Sequence, residues 1–408
     1  MARDFKDKVI VLGVTGSVAA YKACELASRL VEAGAEVIPG LTSGGREFVG
    51  AASLEGITGQ RAITDMFEPA QNPEIEHIAL ARRADLFLIA PASANVIAKS
   101  AHGLADDWLS TTLLATRAPV LYAPAMNTKM YQHPATQDNI ALLKKRGCHF
   151  VGPGSGALAC GEFGPGRLID TPAILEAASI ALRNDHSLEG KHVLLTSGAN
   201  HEPIDPVRFI GNRSSGKMGY AIALEALKRG AQVTVITGPC DVAPPFGVTI
   251  IQADTAVTML DAVTDLLPSA DIFVAAAAVA DYRIENPPTK KQKRDDQPLR
   301  LELTPNPDIA AHVGLTRAAH QIAVGFAAET HDFLEHAQRK LQEKQLDLIV
   351  ANDVSGADSG FGTETSRAWF LTPDEEAEVL PLLAKSELAE RLFTRILALP
   401  RAAAVCDG

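Results

Sequence analysis

A single thiol, Cys160, sits in Ala159-Cys160-Gly161-Glu162-Phe163-Gly164-Pro165-Gly166-Arg167, closing a run from Gly152 to Gly166 that holds six glycines and two prolines. Gly and Pro at this density are not expected to continue a helix or a strand, so the run reads as a mobile loop that orders on demand, a lid or binding loop. A lone cysteine is most often a small packed hydrophobe. A glycine-flanked one on a loop has little apolar wall to pack against, which turns the reading toward chemistry. His77, in Glu76-His77-Ile78, is ambiguous, because a lone histidine beside an apolar segment is more often structural than catalytic. Two groups of cations stand out further on. Lys340 and Lys344, four apart on a predicted helix, share a face and can grip one phosphate chain, or else form an exposed charged stripe. Pro287-Pro288-Thr289-Lys290-Lys291-Gln292-Lys293-Arg294 cannot form a core; it is either a solvated loop or a flap that lowers cations onto a triphosphate.

The elements that must position these residues have a repeating grammar. Val9-Ile10-Val11-Leu12 feeds Gly13-Val14-Thr15-Gly16-Ser17, and Val18 to Leu30 then has helical periodicity that stops near Gly34. Further apolar strands are expected at Glu36–Thr42, Leu86–Ala90 and Val120–Ala123. Continuous apolar strands alternating with helices predict an α/β fold, a parallel sheet covered on both faces. Ligands of such sheets gather at the carboxyl ends of the strands. Here those ends carry Gly13 to Ser17, Thr42-Ser43, Pro91-Ala92-Ser93-Ala94-Asn95 and Pro124-Ala125-Met126-Asn127, rich in hydroxyls and amides and poor in charge. The first loop lacks the Lys-Ser/Thr of a P-loop and the third glycine of the dinucleotide fingerprint. By itself the Gly-x-x-Gly turn fits an ordinary tight connection as well as a phosphate site. Several hydroxyl-bearing strand ends together favour flavin mononucleotide, whose phosphate and ring carbonyls need neutral donors.

Bulk properties narrow the class. With 408 residues, 47% hydrophobic and 21% charged, the chain is expected to be a soluble globular protein of two domains. A net charge of −11 disfavours nucleic acid and anionic membrane as partners. Five scattered cysteines show neither metal-ligand spacing nor a disulfide framework, and no metal-ligating set emerges. The chain starts without an apolar signal region and has no run of membrane-spanning length, so a reducing cytoplasm is the expected location.

Glu76-His77-Ile78, Pro91-Ala92-Ser93-Ala94-Asn95, Pro124-Ala125-Met126-Asn127-x-x-Met130 and Ala159-Cys160-Gly161-x-x-Gly164-x-Gly166-Arg167, in that order, resemble the flavin-dependent cysteine decarboxylases, the phosphopantothenoylcysteine decarboxylases most of all. Gly103-Leu104-Ala105-Asp106-Asp107 resembles that family's loop beside the flavin. The resemblance implies a flavodoxin-like fold with FMN bound between subunits of a trimer, often assembled further. It makes Gly13, Thr15, Gly16, Ser17, Thr42, Ser93, Asn95, Ala105 and Asp106 the candidate FMN contacts. It also implies that His77 is an acid/base, that Asn127 holds the substrate carboxylate and that Cys160 supplies the proton when an enethiol is reduced. The chemistry suits these residue types. Loss of carbon dioxide from a C-terminal cysteine leaves an unstabilised carbanion, and prior flavin oxidation of the side chain to a thioaldehyde lets the charge delocalise as an enethiolate. A neutral amide grips the carboxylate without the ground-state stabilisation a lysine would add.

Arg183 to Lys191 is polar and glycine-terminated, and a fresh strand follows at His192–Thr196. Residues 1–186 and 187–408 are therefore expected to be separate domains, the second Rossmann-like, with a helix from Gly219 to Lys228 and a strand at Gln232–Ile236. Ser214-Ser215-Gly216-Lys217 fails as a P-loop, because the lysine lacks the following Ser/Thr and the glycine spacing is wrong. Asn306-Pro307-Asp308-Ile309, Gly325 to Thr330, Lys340-x-x-x-Lys344 and Ala351-Asn352-Asp353 resemble the CTP-using bacterial phosphopantothenate–cysteine ligases. Nearly the whole chain thus resembles the bifunctional family of coenzyme A biosynthesis. Asp281, Lys291, Pro307, Asp308, Ile309, Ala310, Phe326, Lys340 and Lys344 become candidate CTP contacts. Lys291 is chosen for stabilising developing negative charge and Asn212 for holding an acyl-cytidylate.

The implied sequence of reactions starts with CTP activating 4'-phosphopantothenate, with Mg2+ offsetting the triphosphate charge. L-cysteine's amine then attacks to form the amide, and the first half decarboxylates the product to 4'-phosphopantetheine. The implied assembly is a homo-oligomer, trimer-based through the decarboxylase, with ligase dimers and a dodecamer as one further stage of assembly. Asn200 and Gly211 depart from the ligase pattern, standing where a threonine and a small hydroxyl residue are usual. The C-terminal strands at Arg367–Leu371 and Glu378–Leu382 and a helix from Glu387 to Leu399 are expected to be structural. The rival reading is a non-catalytic flavoprotein, a redox or regulatory scaffold: a yellow protein that releases neither carbon dioxide nor pyrophosphate.

Overall fold

The structure, a computed structural model, describes residues 2–66, 76–159, 161–183, 185–293, 299–329, 333–353 and 362–400. It divides into two compact units, Met1–Asn184 and Asp185–Gly408.

The first unit is built on five parallel strands, β1 (Val9–Val14), β2 (Glu36–Leu41), β3 (Leu86–Ala92), β4 (Val120–Pro124) and β5 (His149–Phe150), in the order β2-β1-β3-β4-β5. Alternate residues of one strand feed opposite cores. Ile10, Leu12 and Val14 of β1 pack on one face with Leu86, Leu88 and Ala90 of β3, while Val11, Phe87 and Ile89 pack on the other. Burial on both faces is why these strands read as unbroken apolar runs. The strand order reverses direction between β1 and β3, and ligands of doubly wound sheets bind at such a switch. The expected helix from Val18 is split into a 3-10 turn, Val18–Tyr21, and an α-helix, Lys22–Glu32, with the Ser17 hydroxyl accepting from the Ala19 N–H at the start of the turn.

The Gly152–Gly166 run is not the open loop expected from its composition. It forms an antiparallel hairpin of β6 (Gly154–Ala157) and β7 (Phe163–Arg167). The reason is tertiary. The Met126 N–H donates to the Gly166 carbonyl at 2.9 Å, and Gly166 lies at φ +137°, where a Cβ would come 2.2 Å from the Met126 oxygen. The glycine is present so that β7 can press its backbone onto the loop after β4, and that contact holds a ribbon that propensity alone would not form.

Among the described residues, the second unit carries a mixed sheet of nine strands. Its strands are β8 (His192–Ser197), β11 (Gln232–Thr237), β12 (Thr249–Gln252), β13 (Ile272–Ala275), β16 (Ile322–Glu329), β17 (Leu348–Asp353), β18 (Thr365–Leu371), β19 (Glu378–Val379) and β20 (Leu383–Ala384). The order runs β12-β11-β8-β13-β16-β17-β18-β19, parallel as far as β17, with β18 antiparallel to it and β20 also paired to β18. The short pairs β9 (Glu202–Pro203) with β10 (Phe209–Ile210) and β14 (Tyr282–Arg283) with β15 (Thr304–Pro305) lie off the sheet. Val193, Leu195 and Val324 serve one core and Leu194, Phe273 and Ala323 the other. The helix expected from Gly219 begins two residues earlier, at Lys217, behind Gly216 in the left-handed conformation. Of the last expected strand, Glu378–Leu382, only Glu378–Val379 is a strand, a short strand Leu383–Ala384 follows beyond it, and the final helix spans Lys385–Leu397.

Candidate functional site

In the first unit, a cavity of about 760 Å³ lies at the switch between β1 and β3. Gly16 and Ser17 come to it from the turn after β1, Ser93 and Ala94 from the turn after β3, Asn127 from the turn after β4, and Leu158 and Arg167 from the hairpin. Of the candidate FMN residues, Gly16, Ser17 and Ser93 line it. The others do different work. Thr15 is fully buried, donating its hydroxyl to the Pro91 carbonyl at 2.7 Å and accepting the Ser93 N–H at 2.9 Å, so it staples the two turns together. Thr42 caps the short turn that follows it by accepting from the Gly45 N–H. Gly13 is hemmed in by Ile89 and Leu109. Asn95, Ala105 and Asp106 are exposed, Asp106 pairing with Lys99 at 2.7 Å.

The cavity fits a flavin by the chemistry of its walls. Tyr21, Phe48, Met126, Met130 and Leu168 offer apolar surface. Ser93 caps the helix Ala94–His102, whose first N–H groups face the region without partners within the helix. The aromatic contributions were missed in the sequence, because nothing local marks an exposed Tyr21 or Phe48 as a wall of a site.

Asn127 uses both ends of its amide within the chain. Its Oδ1 accepts from the Lys129 N–H at 2.8 Å and its Nδ2 donates to Glu162 at 2.7 Å. Lys129 also pairs with Glu162, at 3.6 Å. His77 does not share this cavity; it lines a separate small pocket with Ile63, Leu80 and Trp108. Cys160 lies outside the described residues.

In the second unit, a cavity of about 440 Å³ opens at the carboxyl ends of the parallel strands. Asn212, Asp281, Pro307, Asp308, Ile309, Ala310, Phe326, Lys340 and Lys344 all line it. Asp308 divides its carboxylate: Oδ1 caps the helix Ile309–Thr316 at the Ala311 N–H, 3.0 Å, and Oδ2 meets the Lys344 ammonium at 2.8 Å. Asn212 donates from its amide to the Val279 carbonyl at 2.8 Å, tying its loop to the segment after β13. Lys291 is not among the lining residues and is exposed.

Lys217, Ser214 to Gly216 and the buried Lys385 also line this cavity and were not read as site residues. The signal was present in part. Ser-Ser-Gly-Lys fails as a P-loop, yet it delivers a helix start to the cavity wall, where unpaired N–H groups favour anions. Asn352 adds a side-chain oxygen that is buried with no hydrogen-bond partner. This donor-rich, cation-bearing wall suits a nucleotide.

The two departures from the ligase pattern meet each other in space. Asn200 is fully buried, accepts the Ala280 N–H at 2.6 Å and donates to Glu202. A Cβ at Gly211 would come 2.6 Å from the Asn200 carbonyl oxygen. That oxygen belongs to the backbone, so the close approach calls for glycine at 211 whatever side chain stands at 200.

Residues 2–181 match the family model described as Flavoprotein, and residues 188–399 that of the DNA/pantothenate metabolism flavoprotein C-terminal domain. The chain is 42% identical over 391 residues to the coenzyme A biosynthesis bifunctional protein CoaBC of Vibrio vulnificus (strain YJ016), spanning 95% of this chain and 97% of that protein. The chain belongs to the CoaBC family. CoaBC proteins of Bacillus subtilis (strain 168) and Escherichia coli (strain K12) are 43% and 41% identical, over 96% and 95% of this chain and 97% and 96% of theirs. A solved C-terminal domain of a CoaBC protein is similar at 38% identity, covering 52% of this chain and 96% of that one, with a TM-score of 0.45. Membership of the CoaBC family bears out the resemblance read from the motifs. The chain is a bifunctional enzyme of coenzyme A biosynthesis, a flavoprotein decarboxylase joined to a phosphopantothenate–cysteine ligase. Among the described residues no helix is long and apolar enough to cross a membrane.

Proposed function

We propose that residues 187–408 ligate 4'-phosphopantothenate to L-cysteine through an acyl-cytidylate formed from CTP, and that residues 1–186 decarboxylate the product with FMN to give 4'-phosphopantetheine. The observation that carries the ligase half is convergence. Asp281, the Pro307–Ala310 stretch, Phe326, Lys340 and Lys344, drawn from widely separated parts of the chain, line one cavity together with Asn212. Lys340 and Lys344 are the cations for the phosphate chain, and Asp308 holds Lys344 until phosphate replaces it. Mg2+ would be held chiefly by the substrate's own phosphates, as is usual for this ion; among the described residues no group of three or more His, Cys, Asp or Glu could hold a metal. A cytoplasmic location is part of this reading.

In the decarboxylase half, FMN when bound supplies the oxidation that makes carbon dioxide loss feasible, and the hydride that is returned afterwards. The chain's own residues do the rest. Asn127 presents its amide to the substrate carboxylate at the cavity's edge, and Cys160 donates the last proton. His77, the candidate acid/base, faces a different pocket from Asn127. That separation suits a site completed by a neighbouring copy; a trimer-based decarboxylase with ligase dimers is the homo-oligomer this reading carries.

The test is to assay both half-reactions on the purified protein and on fragments divided between Asp185 and Ser187. A yellow first fragment that releases carbon dioxide from phosphopantothenoylcysteine, and a second that releases pyrophosphate from CTP with 4'-phosphopantothenate, are the expected results. A yellow protein that does neither would favour the scaffold instead.

A further inference from the structure

Asp205 is a carboxylate with no exposed side-chain surface, and it has two separate employments. Its Oδ1 accepts the backbone N–H groups of Val207 and Arg208, both at 2.9 Å, which closes the turn between β9 and β10. Its Oδ2 is bound by the Arg208 guanidinium, Nε at 3.0 Å and Nη2 at 2.6 Å, and also accepts the Gln292 N–H at 3.2 Å. Arg208 Nη2 then donates to the Gln292 carbonyl at 3.2 Å. Both backbone polar groups of Gln292 are thus tied to one ion pair more than eighty residues away in sequence.

The turn itself does not need this. Oδ1, as in an ordinary Asx turn, and the Ile204 and Asp205 N–H groups that donate to the Arg208 carbonyl already close it, so the contacts to Gln292 are additional. They fall on an exposed segment, Lys290 to Lys293, without regular structure. Three of those four residues are lysines, whose mutual repulsion and rotamer freedom work against any fixed placement. A charge that stabilises a transition state acts only if it is held in place, and a displacement of about 1 Å can cost on the order of 10²-fold in rate. Gln292 is the immediate neighbour of Lys291. The Arg208 guanidinium, helped by the turn's N–H groups, holds the Asp205 carboxyl well below the usual carboxylate range, so the anchor stays charged at any working pH.

We propose that the Asp205–Arg208 ion pair is a positioning device for Lys291: by docking the backbone of Gln292 it fixes where the neighbouring ammonium acts on the triphosphate. The proposal rests on the reading of Lys291 as the group that stabilises developing charge.

The test uses Asp205→Asn in the full chain. Asparagine keeps the Oδ1 acceptor for the turn but puts a donor where Oδ2 received Arg208 and Gln292. Trypsin cleavage after Lys290, Lys291 and Lys293, followed by mass spectrometry, should quicken about tenfold or more. The kcat for pyrophosphate release should fall on the order of 10- to 100-fold with the KM for CTP changed far less, and carbon dioxide release should be untouched. The double variant Asp205→Asn/Lys291→Gln should be no slower than Lys291→Gln alone, since a residue that acts only through Lys291 has nothing left to act on. Unchanged pyrophosphate release in Asp205→Asn, or losses that multiply in the double variant, would overturn the proposal. If Lys291→Gln itself releases pyrophosphate at the wild-type rate, the failure lies instead in the underlying reading of Lys291. Should Asp205→Asn not fold, Arg208→Lys asks the same question, because a lysine cannot span the carboxylate and the Gln292 carbonyl as the guanidinium fork does.

Discussion

The amide nitrogen of Asn127 donates to the carboxylate of Glu162 at 2.7 Å, across from the turn after β4 to the tip of the β6–β7 hairpin. A carboxylate of the protein itself therefore takes one of the two N–H groups of the amide proposed for the substrate's carboxylate, and sets a second anion beside it. The contact is charge-assisted, and Glu162 is partly exposed, which weakens it. Glu162→Ala is expected to lower the KM for phosphopantothenoylcysteine a few-fold, with kcat changed less. Steady-state carbon dioxide release checks this; a KM that stays the same or rises would show that Glu162 assists binding instead of opposing it.

For Cys160, the expected outcome separates packing from chemistry. If the thiol protonates the enethiolate, the earlier steps need nothing from it, so Cys160→Ser should oxidise and decarboxylate once. A serine hydroxyl is a far poorer proton donor. The flavin should then accumulate in its reduced form, bleaching its long-wavelength absorbance. Full turnover with the flavin staying oxidised would remove Cys160 from the mechanism.

Lys291→Gln should slow acyl-cytidylate formation by about 10²- to 10³-fold and leave decarboxylation alone, the usual consequence of removing one donor that stabilises developing charge. Pyrophosphate release measured with CTP and 4'-phosphopantothenate reads the first effect, and carbon dioxide release the second. A near wild-type rate of pyrophosphate release would reduce the Lys290–Lys293 segment to a solvated loop.

Asp107 offers a pH-dependent prediction. It caps the helix Trp108–Ala115 by accepting the Ser110 N–H at 2.8 Å and meets the Lys99 ammonium at 3.0 Å. Burial alone would raise its pKa; the Ser110 hydrogen bonds and the Lys99 charge outweigh that and hold the carboxyl below its ordinary value. The unfolded carboxyl titrates near pH 4, so the stabilisation is complete above roughly that pH and is lost as pH falls through the lower folded value. Asp107→Asn keeps a capping acceptor and loses the charge. It should cost about 1 kcal/mol or less at pH 7 after solvent screening, and the gap from wild type should close below about pH 4. Thermal unfolding at pH 7 and pH 3.5 checks the direction; a gap that widens in acid would contradict it.

The sequence alone determined whatever depends on neighbours along the chain. The strands β1, β3 and β8 were legible because a strand buried on both faces, with Val11 in one core and Leu12 in the other, must be apolar at every position. The i, i+4 spacing of Lys340 and Lys344 was enough to place both on one cavity wall, although the helix ends at Glu343. Tertiary structure decided whatever depends on residues far apart. The glycine-rich run at Gly152–Gly166 carries no strand propensity, and becomes a hairpin because Gly166 lies against the Met126 carbonyl. Thr15 reads as a flavin donor, yet its hydroxyl is taken by Pro91, 76 positions away. Nothing near Lys291 announces that its neighbour Gln292 is bound to Asp205, 87 positions earlier. Local periodicity encodes which face of an element is buried, while the partner of a buried polar group is chosen only when the chain closes and each donor and acceptor removed from water must find another.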